Sequence, residues 1–137
     1  MRVQLTQLQT LYTDYIRQCR QVSMDAPYAA GILSTGKDPR NHPCHEAFYE
    51  AVGQMVTRFS RQTEDPEPII RYMLEIPYFY ANEDACWYLF AAQSHAKLLI
   101  PLLNRDARAS IASWFSRLVP KQHRLPVQEE ILNLLMK

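Results

Sequence analysis

The sequence predicts an all-α fold: a single compact bundle of five to seven helices over residues 1–137, with short proline-punctuated connections and one longer Gly/Pro-containing loop near residues 23–43. Three observations carry this expectation. Apolar residues recur in alternating steps of three and four, the period of a helix with one buried face. No clear alternating apolar and polar run bounded by turn signals is present, so strands are not expected. The nine prolines fall mostly where the apolar stripes begin or stop. Proline suits a first helical turn, where its missing N–H is not needed, and disrupts a helix interior. A chain of 137 residues that is 47% hydrophobic is large enough and apolar enough for one packed core.

The first stripe is Leu5, Leu8, Tyr12, Tyr15, Cys19 and Val22, widened by Leu11 and Ile16. It predicts an amphipathic helix whose Gln- and Thr-rich opposite face could pack on a second copy of the chain. Residues 23–43 hold Gly31, Gly36, Pro27, Pro39 and Pro43, with room for a short helix over 26–33. A second helix is expected to open near Pro43, with Asn41 or His42 as cap, and to bury Phe48, Val52, Met55, Val56 and Phe59. Asp65-Pro66-Glu67 sets a capping carboxylate, a proline and an acid at the positive end of a third helix. That helix carries Ile69, Ile70, Met73 and Leu74 and should stop or bend at Pro77. The fourth starts from Asn82-Glu83-Asp84 and is apolar on almost every side (Ala85, Trp87, Tyr88, Leu89, Ala92, Ala96, Leu99). Such all-round hydrophobicity predicts a central buried helix, kinked or ended by Pro101. The fifth follows Asn104 through Ala107, Ile111, Trp114, Phe115 and Leu118 and closes at Pro120. The last opens at Pro126 and carries Val127, Ile131, Leu134 and Leu135.

A formal net charge of +1 removes the simplest electrostatic case for nucleic acid, yet the charge is segregated. Residues 1–40 sum to +2, residues 41–90 to −5 and residues 91–137 to +4. Three cysteines cannot all pair within one chain, and Cys19, Cys44 and Cys86 sit in helical patterns, so reduced thiols in a cytoplasm are expected. The first residues are polar-interrupted, unlike a secretory signal. The most apolar run, residues 85–103, is broken by Gln93, Ser94, His95 and Lys97, so no membrane span is expected.

The chemistry-bearing residues concentrate in His42-Pro43-Cys44-His45-Glu46. Cys44 in a first helical turn meets unpaired N–H groups that favour a thiolate, which makes it a candidate nucleophile with His42 or His45 as base. His45 follows Cys44 at about 100° around the helix, so the two are not expected to face each other, and His95 or His123 are alternative bases. The same His42, Cys44 and His45 are candidate metal ligands, although zinc would need Cys19, Cys86 or His95 brought in by folding. Gly31 to Asp38 matches GxxxxGK but ends in Asp and lacks the flanking strand, so an ordinary turn is the better reading. Glu-x-x-His is absent, which excludes a di-metal carboxylate bundle. His95, in an apolar stripe, reads as a core or boundary histidine with Tyr12 or Tyr88 as partner.

Two surfaces remain. Tyr78, Phe79 and Tyr80 lie at an expected bend and, with Trp87, Tyr88 and Phe90, read as a core aromatic cluster; alternatively Tyr78, Phe79 and Tyr80 line a groove or partner surface. The basic residues Arg105, Arg108, Arg117, Lys121 and Arg124 read first as a solvated helix face and loop, and a nucleic-acid contact is the lesser reading. The sequence therefore favours a non-catalytic cytoplasmic helical interaction or regulatory module that self-associates, as a homodimer for example, or binds a protein partner. The alternative is a small thiol- or metal-dependent enzyme centred on residues 42–46. No cofactor and no membrane association are expected.

Overall fold

The computed structural model describes residues 3–24, with side chains as far as Val22, together with residues 42–83 and 85–137. Among them are six α-helices and no strand. The helices are α1 (Val3–Met24), α2 (Cys44–Phe59), α3 (Pro66–Phe79), α4 (Cys86–Ala92), α5 (Arg105–Leu118) and α6 (Pro126–Leu135). The GxxxxGK stretch, the short helix expected over 26–33 and most of the long loop lie outside the described residues.

Local chemistry explains the helix starts. Asp65 is extended and its Oδ1 accepts from the Glu67 N–H at 3.1 Å, with Pro66 in the first position of α3. Asn104 does the same for α5, its Oδ1 accepting from the Ala107 N–H at 2.8 Å. At α2 the Pro43 carbonyl already accepts from the Ala47 N–H, and His42 Nδ1 accepts from the Cys44 N–H at 3.0 Å. His42, one residue before the cap position held by Pro43, thus satisfies the first N–H of α2. At α6 the Gln128 side chain reaches back to the Leu125 N–H at 2.9 Å, behind Pro126.

Most of the predicted stripe residues are buried, whereas Leu5, Met55, Trp114, Leu118, Val127 and Leu134 are only partly so. Leu8, Tyr12, Tyr15, Ile16, Cys19 and Val22 of α1 pack on Phe48, Val52, Val56 and Phe59 of α2 in one core cluster that also takes in α3 to α6. Three expectations change. Pro77 does not stop α3, which runs two residues beyond it. The region after Asn82 is not one long helix, because α4 tightens into a 3₁₀ segment at Gln93–Leu98 and a second at Ile100–Leu102. Pro101 has no N–H for an α-helical ladder, and i→i+3 bonds such as Leu99 N–H to the Ala96 carbonyl take over. Nor is α4 buried all round: Leu89 and Ala92 are buried, whereas Trp87 is 72% exposed. Its apolar residues cover more of the circumference than its neighbours do.

Candidate functional site

The cluster at the start of α2 converges with α1. Cys19, Cys44 and His45 are all buried, and their ligand atoms lie within 4.8 Å of one another. His45 Nδ1 stands 2.7 Å from the Tyr15 hydroxyl and 3.9 Å from Cys19 Sγ. The imidazole stacks on Tyr88 at 4.7 Å between centroids, and Tyr15 stacks on Phe48 at 3.9 Å. The sequence expectation that Cys44 and His45 would not meet is corrected. Although about 100° apart on the wheel, both are buried where the first turn of α2 lies against α1, and their ligand atoms come within 4.8 Å there. Cys19 takes the place in this set that the sequence reading gave to His42, whose Nδ1 is turned to the Cys44 backbone.

The electrostatics oppose a free thiolate. Burial pushes the Cys44 thiol up, outweighing a hydrogen bond with Cys19 and its own backbone N–H, so the first-turn effect expected from the helix end does not prevail. Burial likewise keeps Tyr15 a phenol, helped by its bond to Cys19. What the arrangement offers is two soft sulfurs and an imidazole nitrogen in a dry pocket, a donor set suited to zinc or cuprous ion.

His95 is apart from this set. Its Nε2 donates to the Tyr49 carbonyl at 3.0 Å, and its ring sits 4.4 Å from that of Tyr49, so its partner is neither Tyr12 nor Tyr88. Burial holds its pKa below the usual 6.5, in favour of the neutral ring. The same ring explains Gly53 in mid-helix: a Cβ there would come within 2.7 Å of His95 Cε1. Gly53→Ala is therefore expected to lower stability by about 1–2 kcal/mol despite alanine's better helix propensity, because the ring must leave Tyr49. A urea melt of G53A alone and with His95→Ala checks this, since the double variant should regain most of the loss that G53A causes on its own.

A second feature lies in the aromatic neighbourhood of residues 78–90. Tyr78, Trp87, Tyr88, Phe90, Leu125 and Val127 line an open, mainly apolar groove of about 1090 Å³ between the end of α3, α4 and the start of α6. Tyr78 is half-buried with its hydroxyl accepting from Gln128 Nε2 at 2.8 Å, and Phe90 meets it edge-on. Phe79 is 70% exposed, while Tyr80 lies beneath the Arg20 guanidinium. The aromatic bend thus divides: Tyr78 lines the groove, Phe79 faces out and Tyr80 serves the fold. Behind the groove, Gln93 and Gln128 are fully buried and bonded to each other at 3.3 Å, a pair for which periodicity gave no signal.

The basic residues do not form one face. On α5, Arg108 and Arg117 stand about 180° apart around the helix. Arg124 is turned inward, donating to the Val119 carbonyl and pairing with Glu129, and Lys97 pairs with Glu130. Arg105, Arg117 and Lys121 are exposed.

Fold and site together define an all-helical bundle that joins a buried thiol–imidazole cluster to an open aromatic groove. No family model, no curated protein and no solved structure matches the chain. No described helix is long and apolar enough to cross a membrane.

Proposed function

We propose that the protein is a non-catalytic, cytoplasmic helical module that works by self-association, with the aromatic groove as the contact between two copies. The carrying observation is Trp87, a large apolar side chain 72% exposed at the wall of an apolar groove. A two-fold interface uses the same patch on both subunits, so a protruding group beside a groove is self-complementary: each Trp87 enters the groove of the other copy. Tryptophan is also the side chain whose burial contributes most often to association. The buried, protonated Cys44 argues against the thiol-enzyme alternative.

Sedimentation velocity over a range of micromolar concentrations tests this. The native chain is expected to pass from monomer to dimer, and Trp87→Glu to weaken the dimer roughly 30-fold or more, the effect of losing about 2 kcal/mol at a hot spot, with its helical circular dichroism unchanged. A strict monomer at high micromolar concentration, or a dimer indifferent to W87E, overturns the proposal.

A further inference from the structure

We propose that Cys19, Cys44 and His45 form a binding site for one zinc ion, with the Tyr15 hydroxyl at the fourth corner. The three ligands come from two helices that the sequence separates by 25 positions between Cys19 and Cys44, and they meet in the interior. Zinc bonds of about 2.3 Å to sulfur and 2.0–2.1 Å to nitrogen set the donor atoms of a tetrahedron roughly 3.5–3.8 Å apart. The Cys19 Sγ to His45 Nδ1 separation is already 3.9 Å, and no separation in the set exceeds 4.8 Å. Small side-chain rotations close the remainder.

The Tyr15 hydroxyl lies 2.7 Å from His45 Nδ1, the nitrogen that also faces Cys19, so a metal on that nitrogen replaces this hydrogen bond and the hydroxyl turns aside by about 1 Å to reach the fourth corner. Charge fits as well. Two thiolates and a neutral imidazole balance a divalent cation, and a neutral assembly is what an interior tolerates. Binding breaks two S–H bonds and the Tyr15–His45 hydrogen bond, and forms two zinc–sulfur bonds, one zinc–nitrogen bond and one zinc–oxygen bond to the neutral Tyr15 hydroxyl. The two protons leave to solvent and no electron moves. Tyr88 and Phe48, stacked on His45 and Tyr15, supply the dry outer wall that holds such ligands in place. The site ties α1 to α2 and shares Tyr88 with the groove, while its three donor residues are not among those that line it.

The full chain, untagged and stripped with chelator under reducing conditions, is titrated with cobalt(II) and then zinc(II). One cobalt per chain is expected, with two protons released per metal, a thiolate-to-cobalt charge-transfer band and tetrahedral d–d absorption, and both absorptions should vanish without further proton release when zinc displaces cobalt. Cys19→Ser and Cys44→Ser should each reduce the charge-transfer intensity by about half and the affinity at least tenfold, and Cys86→Ser, a groove cysteine, should change neither. Tyr15→Phe should bind roughly tenfold more weakly with the charge-transfer band retained. Should either serine variant fail to fold, the native titration and C86S decide. Absence of the band in the folded native chain, or its loss in C86S, overturns the site.

Discussion

Tyr12→Ala is expected to lower stability by about 3–5 kcal/mol, the range for deleting a large aromatic side chain from a core. Tyr12 is fully buried and touches two aromatic neighbours edge-on, Phe48 at 5.0 Å and Tyr72 at 5.3 Å between centroids. One side chain thereby joins α1, α2 and α3. For a chain of this length each kcal/mol corresponds to about 4 °C in Tm, so thermal unfolding should begin well below that of the native protein. Tyr12→Phe should act in the opposite direction. The hydroxyl is buried with no hydrogen-bond partner among the described residues, and burial pushes its pKa far above the usual 10. Removing an unpaired buried hydroxyl while keeping the ring should stabilise by about 1 kcal/mol. Denaturant melts with unchanged slope read both effects, and a phenylalanine variant as unstable as the alanine one would refute the assignment.

Gln93→Leu should cost about 2–4 kcal/mol although leucine nearly conserves volume. Gln93 Nε2 donates to the Leu74 carbonyl at 3.0 Å, and its Oε1 accepts from Gln128 Nε2 at 3.3 Å. Pro77 has no N–H to offer the Met73 carbonyl, so this stretch of α3 is already short of a ladder bond, and the side chain bonds beside the gap. Leucine leaves the Leu74 carbonyl and one Gln128 N–H without these partners in a dry core. Gln128→Leu removes the other half of the pair and the brace on the Leu125 N–H. A double-mutant cycle should show the pair of changes costing at least 0.5 kcal/mol less than the sum of the single ones, the least coupling expected of contacting residues. Strict additivity would mean that the two amides act separately.

Both residues show where sequence reading stops. Tyr12 belonged to a visible stripe, and its burial followed from spacing alone. Gln93 and Gln128 carry polar side chains, and their burial depends on each finding the other across helices remote in sequence. Trp87 misled in the opposite sense. It sits in an apolar run, and what leaves it exposed is the limited breadth of the neighbours covering α4. Cys44 and His45 are recognisable as a reactive cluster, but Cys19 stands in the sequence as one of three possible additions beside Cys86 and His95, and only folding selects it.

The sequence by itself determined the all-α class, the main stripes and the starts at Pro43, Asp65-Pro66, Asn104 and Pro126. Those features depend on backbone donors and side chains within one or two turns, and local chemistry is written in local order. Only the tertiary structure decided that Cys19 meets Cys44 and His45, that two glutamines pair in the core, and that Trp87 and Tyr78 share a groove. Each of these rests on the relative placement of whole helices, which follows from how their buried faces fit and not from any short stretch of residues.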